Sequence, residues 1–146
     1  MKFIAHRGNV SRRIGPLENS PSYITTAINL GHDVEVDVWL IDDVFYLGHD
    51  EPQYKVERDF VLNDKFWIHA KNIDALNALK DSTNCFFHNT DDAVLTSKGF
   101  IWTYPSKKLV EGAICVMPQT GMYTHSELDK CYAICSDDKS ICNRLN

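Results

Sequence analysis

The chain of 146 residues is long enough for one domain and too short for two independent cores, so we expect a single domain over residues 1–146. Its apolar content of 44% and charged content of 24% are typical of a folded globular protein and exclude a disordered chain. Lys and Arg number 15 against 20 Asp and Glu, and the net charge of −5 argues against sequence-independent binding to nucleic acid or to an anionic membrane surface.

The apolar runs and the cysteines indicate the compartment. No apolar run approaches the roughly 18 residues of a membrane span, and Met1 leads into Lys2 without the apolar core of a signal peptide. The cysteines are odd in number and lack the close spacing of a zinc site, which favours reduced thiols. They are Cys85, Cys115, Cys131, Cys135 and Cys142. We therefore expect a cytoplasmic protein with no transmembrane segment.

The predicted elements alternate between strands and helices. A first strand at Lys2–Ala5 is followed by a loop from Gly8 to Asn19, and then by a helix that Ser20 caps and Gly31 ends. A second helix is predicted over Asn72–Lys80, and a third, short one around Ser126–Lys130. Their β-branched and aromatic content predicts further strands at Asp33–Trp39, Val44–Leu47, Phe66–Ala70, Asn84–Phe87, Phe100–Tyr104, Ala113–Met117 and Tyr132–Cys135.

This order of elements favours a mainly parallel α/β fold over a sandwich. A full β/α barrel needs about 250 residues, so a barrel made from this chain would lose several outer helices. Polar residues at the carboxyl ends of parallel strands tend to line the site, which makes His6 and Arg7, after the first strand, candidate functional residues.

The segment 33–38 alternates acidic residues with valines, so Glu35 and Asp37 share one face of a strand. If the next strand returns through a three-residue turn, His49 lies opposite Asp37 and joins that face. A two-residue turn shifts the register and turns His49 away, unless a bulge at Gly48 restores its direction. Two carboxylates at this spacing suit Mg²⁺ or Ca²⁺, and a bound dication would reverse their repulsion of a phosphate.

Four motifs follow each other along the first third of the chain: His6-Arg7-Gly8, Glu18-Asn19-Ser20, Glu35-Val36-Asp37 and His49-Asp50. Together they resemble the ordered signature of the glycerophosphodiester phosphodiesterase family, which is related to phosphatidylinositol-specific phospholipase C. The segment Trp102-Thr103 is similar to a later strand motif of that family. The resemblance implies an α/β fold of the compact β/α (TIM-like) barrel type, with several outer helices shortened or missing.

The resemblance also implies roles for individual residues. It assigns acid–base catalysis to His6 and His49, metal binding to Glu35 and Asp37, and phosphate contact to Arg7. Glu18 would support the site next to the metal.

One further family motif is altered here. The family has an acidic residue two positions before a lysine. Lys71 matches the lysine, which the resemblance makes a second phosphate contact, whereas His69 stands where the family has the acid. Because imidazole is softer than carboxylate and carries no negative charge, His69 as a metal ligand would weaken Ca²⁺ binding and leave Mg²⁺ or Mn²⁺ acceptable.

The resemblance thus implies a metal-dependent hydrolase of lipid metabolism that cleaves a glycerophosphodiester or similar small phosphodiester by two-histidine acid–base catalysis. The alternatives are a lyase resembling the spider phospholipase D toxins, which releases a cyclic phosphate, and a barrel that binds phosphate or metal with little catalysis. His88 and Asp137 follow predicted strands without a partner motif, and we expect them to be solvated. Trp102 and Tyr104 are expected to pack in the core or at its rim.

Overall fold

The computed structural model describes residues 1–143, which form one curled sheet of ten strands with five short helices. The strands are β1 (Lys2–His6), β2 (Asp33–Ile41), β3 (Val44–Leu47), β4 (Tyr54–Val56), β5 (Phe66–Ala70), β6 (Asn84–Phe87), β7 (Ala93–Leu95), β8 (Ile101–Thr103), β9 (Ile114–Val116) and β10 (Ala133–Ser136). The helices are α1 (Pro21–Asn29), α2 (Arg58–Val61), α3 (Ile73–Leu79), α4 (His125–Leu128) and α5 (Ser140–Asn143), with 3₁₀ turns at Gly15–Leu17 and Pro118–Thr120.

The longest strand, β2, connects the two halves of the sheet. Its first residues pair in parallel with β1, and its last residues pair antiparallel with β3, which in turn pairs with β4. Along its other edge β2 runs parallel to β5, which pairs with β6. Beyond β1 the strands β10, β9 and β8 follow in parallel, and β7 is antiparallel to β8. The carboxyl ends of seven parallel strands therefore meet at one end of the sheet.

The expected compact β/α (TIM-like) barrel is wrong. The sheet is mixed and curls into a half-barrel, and only 24% of the structure is helical. The helices α1 and α3 have nine and seven residues, and α2, α4 and α5 have four each. The connection from β8 to β9, described throughout residues 104–113, contains no helix, and β7 takes the place of a helix between β6 and β8. Connections this short do not supply the outer layer of helices that defines that barrel.

Alternation along the strands separates two apolar clusters. Phe3, Val34 and Ile68 pack with Ile24 of α1 and Leu79 of α3 on the face that the helices cover. The other face, onto which the sheet curls, is filled by side chains from the sheet strands themselves: Ile4, Trp67, Phe86, Trp102, Ile114, Val116, Ala133 and Cys135. This inner cluster forms the floor beneath the polar residues at the carboxyl ends of the strands.

The ends of α1 follow the sequence prediction at Gly31 and depart from it at Ser20. Gly31 adopts a φ of +89° just after the C-cap residue Leu30, and its N–H donates to the Ile28 carbonyl. Ser20 occupies the N-cap position, but its hydroxyl makes no capping hydrogen bond.

Among residues 1–143, no helix has the length and the apolar character needed to cross a membrane. All five cysteines are free and buried.

Candidate functional site

Parallel strand pairing brings four of the predicted site residues together at the carboxyl end of the sheet. His6 is the last residue of β1 and lies beside Glu35 of β2 in the sheet register. Asp37 lies beside His69 of β5 in the same way. The side chains of these four residues point to the inner face, in phase with the buried Ile4 and Trp67, because strand side chains alternate.

The sequence left a two-residue and a three-residue turn open for the hairpin before His49, and the structure has the two-residue turn. Val38 faces Leu47 and Ile41 faces Val44, with Asp42 and Asp43 at the turn in left-handed conformations. The three-residue turn is therefore not formed.

His49 nevertheless reaches the site because the chain changes direction at Gly48. Its φ is +150°, its N–H donates to the Asp37 carbonyl at 3.1 Å, and a Cβ at this position would overlap the Glu51 carbonyl oxygen. His49 follows and lines the same small cavity as His6.

An aspartate at the end of β10 orients His6. His6 Nδ1 and Asp137 Oδ1 are 2.8 Å apart, and because an ionised carboxylate only accepts, Nδ1 donates and Nε2 faces the cavity, 3.9 Å from Glu35 Oε2. Burial alone would lower the pKa of His6, but Asp137 and the Glu35 charge outweigh it and raise that pKa. Hydrogen bonds to His6 and Asn9 hold the pKa of Asp137 below its ordinary value, against the opposing effect of burial.

His49 has a similar arrangement with an exposed partner. Its Nδ1 lies 2.7 Å from Asp50 Oδ1, which leaves Nε2 free. Burial is the largest influence on His49 and lowers its pKa, which favours the neutral imidazole.

Glu35, Asp37 and His69 form a group whose ligand atoms all lie within 4.8 Å of one another. Asp37 is fully buried, and its Oδ1 lies 3.1 Å from His69 Nδ1 and 3.8 Å from Lys71 Nζ. Burial alone would raise the pKa of Asp37, but His69 and Arg7 outweigh it and keep that pKa well below its ordinary value. Burial, followed by the Asp37 charge, raises the pKa of Glu35. A cation would lower the cost of keeping both carboxylates ionised.

Asn19 and Arg7 fix the two carboxylates of β2. The Asn19 amide donates to Asp37 Oδ2 at 2.8 Å and accepts from the Asp37 N–H at 3.0 Å. Arg7 adopts a φ of +53°, which directs its N–H toward Glu35 Oε2 at 3.2 Å, and its Nε lies 3.2 Å from Asp37 Oδ2.

The structure places Glu18 away from the Glu35–Asp37–His69 group. Its carboxylate accepts hydrogen bonds from Arg7, Asn9 and Arg13 at 3.0–3.1 Å, and these contacts hold its pKa below the ordinary value although burial opposes them. Together with His6 and Asp137 it forms a second group of potential ligand atoms. Because its oxygens are already bonded to cations and an amide, Glu18 acts on the site mainly by holding Arg7.

Lys71 lies next to Asp37. The nearest charge to its ammonium is Asp37 Oδ1, and its side chain is 16% exposed. It adds positive charge to the site, although it does not line the cavity that the two histidines share.

Two cavities meet at Arg7 and His49. The inner one, of about 140 Å³, is lined by His6, Glu35 and His69, and its other walls are Phe86, His88, Trp102, Tyr104 and Val116. The outer one, of about 480 Å³, extends over Arg13 and Glu18 to Asp50, Glu51 and Gln53. The inner cavity has room for about five water molecules, which is the scale of a phosphate with a few attached atoms.

Several residues of the site escaped the sequence analysis. Asp137 is not solvated, because it holds His6, and His88 is half-buried, with its ring stacked on Tyr104 at 3.5 Å between centroids. Trp102 and Tyr104 pack in the inner cluster and at its rim as expected, and both also line the inner cavity. In the structure His88, Tyr104 and Asp137 each directly follow a parallel strand, β6, β8 and β10. Of the predicted strands only Asn84–Phe87 ends directly before one of them, His88.

The fit of this site to a divalent cation rests on its donor set. Glu35, Asp37 and His69 are buried or nearly so, and their ligand atoms all lie within 4.8 Å of one another. Two buried carboxylates next to an imidazole are the environment that a small hard cation satisfies. The residues present therefore fit such an ion.

Comparison of the chain with models of protein families, with curated proteins and with solved structures finds no match.

Proposed function

We propose that this protein is a metal-dependent phosphodiesterase that hydrolyses a glycerophosphodiester or a similar small phosphodiester in the inner cavity, as the resemblance to the glycerophosphodiester phosphodiesterase family implies. The observation that carries the proposal is the convergence of His6, His49, Glu35 and Arg7 on one cavity, with Asp37 and His69 adjoining Glu35. Two imidazoles, two carboxylates and a guanidinium in one small space are the groups that such a reaction needs.

Glu35 and Asp37 would hold the metal, with His69 as a third ligand. When bound, Mg²⁺ or Mn²⁺ supplies positive charge that polarises a phosphoryl oxygen, and His69 makes Ca²⁺ the weaker choice. The net charge of the chain does not favour nucleic acid, so we propose a small diester as substrate and the cytoplasm, where free thiols persist, as its compartment.

The remaining residues of the site would bind the phosphate and transfer protons. Arg7, held by Glu18, binds a non-bridging phosphate oxygen, and Lys71 adds to the positive field. His49, whose pKa burial lowers, takes the proton from the attacking water. His6, oriented by Asp137, gives a proton to the leaving oxygen through Nε2.

The test is a panel of diesters with each of three metals. Glycerophosphocholine, glycerophosphoethanolamine and bis(p-nitrophenyl) phosphate are incubated with Mg²⁺, Mn²⁺ or Ca²⁺, and the products are identified by phosphorus NMR. We expect a phosphomonoester as product and loss of turnover by about 10²–10⁴-fold in His6→Gln and in His49→Gln.

His125→Gln is the matched control, because His125 is exposed on α4. A cyclic phosphate as the final product would indicate a lyase instead. Binding of the diesters without any turnover would indicate a binding module, and activity in both active-site variants equal to that of the control would refute the proposal.

A further inference from the structure

Unsatisfied polar atoms concentrate at the candidate site. Among the described residues, seven buried side-chain oxygen or nitrogen atoms make no hydrogen bond of good geometry, and four of them belong to this site: Arg7 Nε, Asp37 Oδ1, His88 Nδ1 and Tyr104 Oη. The first three still lie within 4 Å of a charged partner, Asp37, His69 and Asp91 respectively, whereas the Tyr104 hydroxyl has no such partner among the described residues. Buried polar groups without partners are rare in folded proteins, and each destabilises the fold. The Tyr104 hydroxyl is therefore the atom of the site whose hydrogen bonding a ligand would complete.

Tyr104 is the unexplained member of this group. It directly follows β8, it lines the inner cavity that the two histidines share, and the proposed acid–base and metal chemistry does not use it. It adds a hydroxyl to a largely aromatic wall that includes Phe86 and Trp102.

Stacked rings hold the phenol in place. The Tyr104 ring stacks on His88 with 3.5 Å between centroids and 20° between planes. His88 in turn contacts the His69 ring at 5.9 Å, and His69 stacks on Phe86 at 5.2 Å. A hydroxyl fixed in this way loses little freedom when it bonds a ligand, so the hydrogen bond is preorganised.

The surroundings of the hydroxyl indicate that it donates. Burial raises the pKa of Tyr104, and the Glu35 carboxylate adds to the effect, so the phenol keeps its proton. The guanidinium of Arg7 lines the same cavity and has only N–H donors. Donors from Tyr104 and Arg7 at one cavity favour a ligand rich in acceptor oxygens, and an anionic phosphate has them.

We propose that Tyr104 is a phosphate-binding residue of this site, which donates its hydroxyl hydrogen to a non-bridging oxygen of the substrate diester, while His88 positions the ring by stacking. This inference rests on the proposed phosphodiesterase function. It adds a donor from β8 on the side of the cavity away from the β1 and β2 motifs, so the phosphate is held from two directions.

The test removes a single oxygen. Tyr104→Phe keeps the ring and its stacking, and because the hydroxyl has no partner in the free protein, the melting temperature should stay the same or rise. Turnover of bis(p-nitrophenyl) phosphate and affinity for the unreactive diester dimethyl phosphate should each fall by about 10- to 100-fold, the effect of one hydrogen bond to a charged group. Tyr132→Phe, at the opposite end of the sheet, is the matched control.

The outcomes separate the two proposals. If the unsubstituted protein hydrolyses diesters and Tyr104→Phe equals it in turnover and in dimethyl phosphate affinity, the role of Tyr104 is refuted and the phosphodiesterase proposal stands. If no diester is hydrolysed, the phosphodiesterase proposal fails, and weaker dimethyl phosphate binding by Tyr104→Phe than by Tyr132→Phe would still support Tyr104 as a phosphate donor. Absence of dimethyl phosphate binding to the unsubstituted protein would refute the role of Tyr104. A melting temperature of Tyr104→Phe so much lower that unfolding accounts for its loss of activity would refute it as well.

Discussion

His6 and Asp137 are 131 positions apart in the chain, yet His6 Nδ1 lies 2.8 Å from Asp137 Oδ1. They meet because β1 and β10 are neighbours in the sheet, with Ala5 beside Ser136 in register. Asn9 donates a hydrogen bond to the same Asp137 oxygen at 2.9 Å and so fixes the carboxylate. The site is therefore assembled from both ends of the described chain.

Replacement of Asp137 by Asn tests this pair. Asn keeps the size of the side chain but removes the charge, and its amide can donate to Nδ1 and so favour the wrong tautomer of His6. We expect kcat to fall by about 10- to 100-fold with a small change in KM, as for other residues that orient an active imidazole. Steady-state kinetics with bis(p-nitrophenyl) phosphate measures both constants. Asp129→Asn, at an exposed position after α4, is the control, and equal kcat in the two variants would contradict the role of Asp137.

The pH dependence of activity tests His49 as the base. His49 must be neutral to accept a proton, so activity is present above its pKa and is lost as the pH falls through it. Burial lowers that pKa, with smaller effects from Asp37, Arg7, Asp50 and Lys71. The acidic limb of kcat/KM should therefore lie below about pH 6.5, the ordinary pKa of histidine.

Asp50→Asn sharpens this measurement. The hydrogen bond to Asp50 raises the pKa of His49, so its removal should shift the acidic limb to still lower pH. A limb that lies above pH 6.5, or that shifts upward in Asp50→Asn, would exclude His49 as the base.

The sequence predicted the parts of this site that depend on local patterns. Alternation along 33–38 placed Glu35 and Asp37 on one face of β2, and the predicted strands that contain His69 and Cys135 agree with β5 and β10 to within a residue or two. The barrel was wrong because strand patterns do not specify what fills the connections, and here the connections hold few helices. The short strands β4 and β7 were missed.

The missed residues of the site depend on long-range pairing. Asp137 gains its role only when β10 lies beside β1, and Asn19 only when the loop after Arg7 folds against β2. Tyr104 becomes part of the cavity because the sheet curls, which brings β8 across from β2. None of these contacts is encoded within a window of neighbouring residues, so no local pattern could reveal them.

Metal binding should be visible in thermal stability as well as in activity. Removal of divalent ions with EDTA should abolish turnover, and Mg²⁺ or Mn²⁺ should restore it better than Ca²⁺. A metal at about 100 times its dissociation constant stabilises the folded state by about 2.7 kcal/mol, so the melting temperature should rise by about 5–10 °C.

His69→Asp tests the assignment of the metal ligands. A third carboxylate in place of His69 suits Ca²⁺ better, so the variant should shift the preference toward Ca²⁺ in both activity and melting temperature. Glu51→Gln, at an exposed position on the rim of the outer cavity, is the control and should leave metal preference unchanged. Full activity in excess EDTA would remove the metal from the proposed reaction.

Gly48→Ala tests the change in direction that brings His49 to the site. At a φ of +150° an alanine is strained, and its Cβ would overlap the Glu51 carbonyl oxygen, so the chain between Leu47 and Gln53 must move. We expect a loss of about 2–5 kcal/mol in the free energy of unfolding, from backbone strain and overpacking together. His49 should be displaced with its loop, so kcat/KM should fall by at least about 10²-fold.

Gly112→Ala separates the strain from the overlap. Gly112 also has a positive φ, +75°, but a Cβ there has no neighbour within 4 Å, so the substitution should destabilise the fold by only about 1–2 kcal/mol and leave activity intact. Denaturant unfolding gives both free energies, and kinetics with bis(p-nitrophenyl) phosphate gives the second readout. If Gly48→Ala proved as stable and as active as Gly112→Ala, the turn at Gly48 would not be what directs His49 into the cavity beside His6.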